Sequence, residues 1–164
     1  MPINNFYENQ GCPENLWDAA RFAIRGKSFW GSTSLAPTVA TQASWAIDGV
    51  AVAVRAWVHK VLFSTDTAIN VSTALALGAV GLAAGTLLSG QGATSGAAWA
   101  YRAQVAVPTN INTTFGKIFV AANTTVDLLA GAEFVLTSGR ALVFQTALVA
   151  ANCTLTIYWG EFDD

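Results

Sequence analysis

The single histidine of the chain, His59, stands in "AWVHKVL", and no nucleophile motif accompanies it. A catalytic site needs a nucleophile or an acid/base pair, with a third group to orient it. On a strand His59 would share a face with Trp57 and Val61, the setting of a structural or interface imidazole. There is no G-x-S-x-G elbow and no Cys-His signature. Cys12 and Cys153 lie near opposite ends of the chain and could pair only if the termini meet; two reduced thiols are the simpler expectation. One His, two distant Cys and scattered carboxylates form no zinc ligand set, so no metal and no cofactor is expected.

The carboxylates point to little more. Asp127 and Glu133 flank "LLAGA" and could meet across a hairpin, as the paired acids of a glycosidase do. Solvated turn charges are the plainer reading. Glu161, Asp163 and Asp164 make an acidic C-terminal tip, read as a soluble terminus, with divalent-cation binding or repulsion between neighbouring C-termini as the sharper alternative. "GQGATSG" lacks the Lys-Ser/Thr ending of a phosphate-binding loop. Trp17, Trp30, Trp45, Trp57, Trp99 and Trp159 could include a sugar-stacking platform, although core and interface packing accounts for any single one of them. The chain therefore reads as a non-enzyme.

Composition bounds the rest. The 164 residues are most simply one domain, of which 53% are hydrophobic and only 11% charged, against about 25% charged in an ordinary soluble domain. A net charge of −2, with only Arg21, Arg25 and Lys27 clustered, leaves no footprint for nucleic acid. Obligate subunit interfaces are depleted of Lys, Glu and Asp, and the six Trp, nine Phe and three Tyr suit such surfaces. An obligate homo-oligomer or a subunit of a larger assembly is expected. The N-terminal "MPINNFYENQGCPENLW" has no basic region followed by an apolar one, so no signal peptide is expected. N-x-S/T triplets at Asn70, Asn112, Asn123 and Asn152 are read as chance in a chain rich in Asn and Thr.

The run from Thr67 to Tyr101 carries no charge, yet its most apolar part, Ala74–Leu88, is fifteen residues with three glycines. A spanning helix needs about 20 apolar residues, and no Lys/Arg cluster or aromatic belt flanks this run. No membrane crossing is expected. Alternation in "STALALG" has the strand period, while a helix over Ser72–Leu82 is the competing assignment because Ala and Leu are strong helix formers. Either way the segment must pack within the domain or against a neighbour.

The elements follow from periodicity and turn residues. Residues 1–36 read as an arm, with a short helix in "PENLWDAARFAIRG" capped by Asn15 and stopped at Gly26. From Ser44 the texture is β. Asp48-Gly49 signals a hairpin, and Val50, Val52 and Val54 alternate with smaller residues on the strand that should follow. "WAYRAQVAVP" alternates from Trp99 to the breaker Pro108. The last third cuts into strands near Phe115–Val120, Thr125–Leu129, Phe134–Leu136, Ala141–Gln145 and Cys153–Trp159, separated by Ala122-Asn123, Gly131, Ser138-Gly139 and Ala151-Asn152. Short strands at such spacing, about eight to ten in all, predict an all-β antiparallel sandwich of jelly-roll type over 37–164 behind an extended N-terminal arm over 1–36.

The stretch "TTVDLLAGAEFVLTSGRALVFQT" and the ending "CTLTIYWGEFDD" resemble, in rhythm, small virion proteins of tailed bacteriophages: head-decoration (cement) proteins and related fibre or knob domains. The resemblance implies a non-enzymatic homotrimer, made in the host cytoplasm, that binds the major capsid protein or another virion protein on the capsid surface. It also implies attachment partly through the arm, whose anchors here would be Phe6, Tyr7, Trp17, Phe29 and Trp30. The alternative from the same resemblance is a receptor- or glycan-binding fibre domain. A virion-associated glycan hydrolase using Asp127 and Glu133 is the weakest alternative.

Overall fold

The computed structural model describes residues 28–48, 50, 52, 54–77, 82–84, 88–89, 98–104 and 111–163. Among these the regular structure is all strand: Ser28–Leu35 (β1), Gln42–Asp48 (β2), Val54–Thr65 (β3), Ile69–Leu77 (β4), Ala83–Ala84 (β5), Leu88–Ser89 (β6), Ala98–Gln104 (β7), Ile111–Val120 (β8), Thr124–Asp127 (β9), Phe134–Leu136 (β10), Arg140–Thr146 (β11) and Cys153–Asp163 (β12). The two-residue period decides what each strand buries. In β1, Phe29 and Gly31 point inward while Trp30, Ser32 and Ser34 face out. In β12, Cys153, Leu155, Ile157 and Trp159 are buried and Thr154, Thr156 and Tyr158 are half-buried on the other side.

The strands form two antiparallel sheets of six. The first runs β10-β3-β12-β1-β6 with β9 also on β3, and the second runs β5-β7-β2-β11-β4-β8. Their inner faces share one core. Phe29, Val58, Phe63, Leu155, Ile157 and Trp159 come from the first sheet; Trp45, Ile47, Ile69, Val71, Leu142 and Phe144 come from the second. Trp45 meets Phe63 edge to face across the sheets at 6.0 Å between ring centroids, and Phe29 stacks on Trp159 at 5.8 Å. These are the favoured geometries of aromatic pairs and add to the burial of the rings.

Several sequence expectations change on the folded chain. Asp48-Gly49 makes no hairpin, because β2 pairs with β7 and β11 while β3 lies in the other sheet. Val50 is buried while Val52 is 85% exposed, and neither belongs to a strand. The arm expected over 1–36 gives up Ser28–Leu35, which pair along their whole length with β12. Residues 1–27, including the expected helix and Cys12, lie outside the described residues. The helix alternative over Ser72–Leu82 is excluded at its start by β4, a strand flanked on both sides by β8 and β11. Glu161 is not a solvated tip residue: it is 3% exposed inside β12, its Oε1 accepting the Trp159 indole N–H at 3.0 Å.

The described start of the apolar run finds cover on the far side of the second sheet. Ala46, Ala76, Ala141 and Val143 point away from the main core, yet all are buried in a second small cluster against which Leu82 packs. From Ala74 to Ala76 β4 is thus dry on both faces, and this half of the strand is the apolar one; Asn70 and Ser72, nearer its start, stay half-buried on the outer side.

Two turns carry testable consequences. The Ala132 N–H bonds the Leu129 carbonyl at 2.8 Å, with Ala130 at φ 50 and Gly131 at φ 88. Both central residues are left-handed, as a type I′ turn demands, and alanine pays a steric cost there that glycine does not. Ala130→Gly is expected to stabilise the fold by about 0.5–1 kcal/mol, since the relieved strain exceeds the extra freedom of the unfolded chain. Urea denaturation checks this; an unchanged or lower midpoint would refute the strain.

The β3–β4 turn is tied to the start of β12 through Asp66. Its Oδ1 accepts the Asn152 backbone N–H at 2.8 Å and its Oδ2 accepts the Asn152 side-chain amide at 2.5 Å. Those bonds, the backbone one first, hold the exposed Asp66 carboxyl below its ordinary pKa, with the Thr67 hydroxyl adding to the effect. A depressed folded pKa means that Asp66 stabilises the fold above the unfolded carboxyl's pKa. That contribution is lost as pH falls through the folded value. Asp66→Asn is therefore expected to flatten the acid limb of the stability–pH profile. An unaltered acid limb would show that other carboxylates set it.

Candidate functional site

The outer face of the first sheet carries the densest set of ring, hydroxyl and carboxylate groups, and the strand register places them in rows. Ser34, Thr154, Ser64 and Thr125 align across β1, β12, β3 and β9; Ser32, Thr156, Leu62 and Asp127 form the next row. Ser32 and Thr156 hydroxyls bond at 2.7 Å, and Ser34 and Thr154 at 2.6 Å. The third row is aromatic, with Trp30 opposite Tyr158.

Beside Tyr158 the sheet is irregular on two strands at once. Tyr158 pairs with Lys60 but Trp159 pairs with Val58, so His59 is the extra residue of a β-bulge. A bulge turns two successive side chains to one face. His59 therefore joins Trp57 on the outer side as expected, whereas Val61 faces the core, contrary to the unbroken alternation assumed from sequence. At the same level the neighbouring strand is interrupted. β9 and β10 both run antiparallel to β3, on residues 62–65 and 56–58, and Leu128–Glu133 loop out between them. Asp127 and Glu133 stand at the two lips of that gap. They are thus ends of one broken edge strand rather than partners across a hairpin.

The groups around the bulge are fixed in place. The Trp57 indole N–H donates to Glu133 Oε2 at 3.1 Å. Asp127 Oδ1 accepts the backbone N–H groups of Val61 at 3.3 Å and Leu129 at 3.1 Å, the latter clamping the loop. The His59 ring lies 4.7 Å from Trp57 and 6.4 Å from Tyr158, tilted by 34° and 41°. Burial lowers the imidazole pKa, and Lys60 lowers it further, against opposing pulls from Glu133 and Asp127. His59 is accordingly a neutral hydrogen-bonding group at pH 7, able to donate from one nitrogen and accept at the other.

One Asp127 oxygen is committed to two backbone amides. No group of three or more His, Cys, Asp or Glu among the described residues could hold a metal ion. Cys153 is a buried free thiol whose pKa burial pushes up, with its Sγ 3.7 Å from the Thr65 hydroxyl, so little thiolate forms there.

Of the five anchors expected in the arm, Phe6, Tyr7 and Trp17 lie outside the described residues. Phe29 is a core residue, 2% exposed, so it presents nothing to a partner. Trp30, its neighbour in β1, is 38% exposed on the platform. Sequence reasoning missed Tyr158 and undervalued His59. Only the register brings Tyr158 beside Trp30, and no local signal marks a bulge at residue 59.

A second concavity lies on the outer side of the second sheet, an open cleft of about 280 Å³ lined by Gln42, Asn70, Ser72, Lys117 and Gln145, with Leu148 at its rim. No protein-family model, no curated protein and no solved structure matches the chain.

Proposed function

We propose that the chain is a non-enzymatic virion structural protein that decorates a phage capsid as a homotrimer. The observation that supports this most is the edge of the second sheet. β8 is ten residues long and, among the described residues, pairs only with β4. Along it Phe119 is 66% and Phe115 42% exposed, in a chain with 11% charged residues. A long free edge with exposed rings is what soluble monomers avoid and what an assembly covers. Strands that change sheet at β1–β2, β2–β3, β3–β4, β5–β6, β6–β7, β8–β9, β10–β11 and β11–β12 support a jelly-roll winding of the sandwich. In this reading Phe6, Tyr7 and Trp17, which lie outside the described residues, dock on the major capsid protein. A protein that binds only the assembled lattice stabilises that lattice by mass action.

Light scattering after size-exclusion chromatography tests the reading. The expected mass is three times 17.1 kDa, falling to the monomer in Phe119→Glu, and antibody to the chain should label intact particles of the virus that encodes it. A monomer at high concentration together with unlabelled particles would overturn it. One observation favours a second reading, a receptor- or glycan-binding fibre domain: the row Trp30, Tyr158 and His59 on the outer face of the first sheet.

A further inference from the structure

The geometry points to a carbohydrate-binding platform on the outer face of the first sheet, centred on Trp30, Tyr158 and His59 and taking an uncharged oligosaccharide. The inference deepens the second reading above and rests on it.

Sugar recognition needs a flat π-face for the C–H side of the ring and fixed planar polar groups for its hydroxyls. Trp30 is exposed and Tyr158 half-exposed on neighbouring strands, with Cβ atoms about 5 Å apart as in any cross-strand pair. The His59 ring continues the row, held between Tyr158 and Trp57. The polar groups are built in rather than loose. Glu133 is exposed but steered by the Trp57 indole, and Asp127 is locked by two backbone amides. The bulge and the broken edge strand coincide here, and such irregularities re-aim side chains at functional sites.

The adjoining rows decide the class of occupant. Next to Trp30 and Tyr158 come the paired hydroxyls of Ser32 and Thr156, then those of Ser34 and Thr154. From Trp30 to Ser34 the strand rises about 13 Å, the reach of a di- or trisaccharide. A protein partner would want a dry apolar centre at this place, and the hydroxyl rows deny it. Asp127 and Glu133 stand near His59 with the ammonium of Lys60, and Arg55 lies further along the same face of β3, so the face has no excess of cations to hold sugars that carry acids.

Affinity electrophoresis of the full chain in native gels containing dextran, galactomannan or laminarin, with alginate and hyaluronate as acidic probes, tests the platform. At least one neutral polymer should retard the protein. Trp30→Ala and Tyr158→Ala should each weaken retardation at least tenfold, Trp30→Phe should recover part of it, and Leu148→Ser, at the rim of the cleft on the second sheet, should leave it unchanged. All variants should keep the wild-type thermal midpoint to within a few degrees; Trp30→Phe serves if Trp30→Ala does not fold. No retardation in any neutral gel, retardation only by the acidic polymers, or retardation indifferent to Trp30 and Tyr158 would overturn the platform. So would a change of solution mass in Trp30→Ala, which would make this face a subunit interface. Retardation of a monomer that leaves particles unlabelled would support the platform and overturn the decoration reading; a labelled trimer that no neutral gel retards would do the reverse.

Discussion

Trp159→Ala is expected to lower the free energy of unfolding by about 3–5 kcal/mol, a large share of the 5–15 kcal/mol that holds a typical domain together. Trp159 is fully buried at the centre of the first sheet, where β12 lies between β1 and β3. Truncation removes the stacking face of Phe29 and opens a cavity that a six-stranded sheet cannot close by moving one strand. It also takes the indole N–H away from Glu161, a carboxylate that is 3% exposed, and a buried acceptor that loses a donor adds its own cost. Trp159→Phe separates the two contributions: it keeps most of the stacking and loses the donor, so about 1–3 kcal/mol should go. Guanidinium denaturation of the two variants reads both. If Trp159→Phe is neutral, the Glu161 bond contributes nothing net.

Trp45→Ala should cost a similar amount, about 3–5 kcal/mol, and its conservative partner should behave differently. Trp45 is fully buried in β2 and meets Phe63 of the opposite sheet edge to face, so its ring bridges the two layers of the sandwich. Unlike the indole of Trp159, its N–H finds no hydrogen-bond partner. A buried donor left unmade carries a penalty of about 1–3 kcal/mol, and phenylalanine would relieve it while giving up part of the packing. Trp45→Phe is therefore expected to lie well nearer the wild type than Trp159→Phe does. The reverse order in the same denaturation series would show that the two indoles are not distinguished by their partners.

Much of the β architecture was legible because turn chemistry and the two-residue period are local. The five strands expected in the last third occur at β8 to β12 with ends shifted by a few residues. Asn123, Gly131 and Gly139, three of the expected break points, all have positive φ. The hairpin at Asp48-Gly49 was not legible in the same way. A turn signal says that the chain reverses or leaves, and cannot say whether the next strand joins the same sheet or the facing one. Val52 then loses its place on a strand and stands in solvent. Nor could sequence separate Phe29 from Trp30, two aromatic neighbours whose fates differ only by the face of β1 on which each falls.

The candidate site shows the same division more sharply. Residue types alone marked His59, Asp127, Glu133 and the tryptophans as the groups able to do chemistry. Strand periodicity pointed to the β content that most of the described residues have, and to the need of the uncharged run for cover. The tertiary structure alone decided which strands became neighbours. Register is set by long-range pairing, in which Ser32 meets Thr156 over a separation of 124 residues. The bulge at His59, which sends Val61 to the core, exists only as a mismatch between β3 and β12. A side chain's type is written in the sequence; the company it keeps on a sheet is written in the pairing, and a one-residue offset sends every subsequent side chain to the other face.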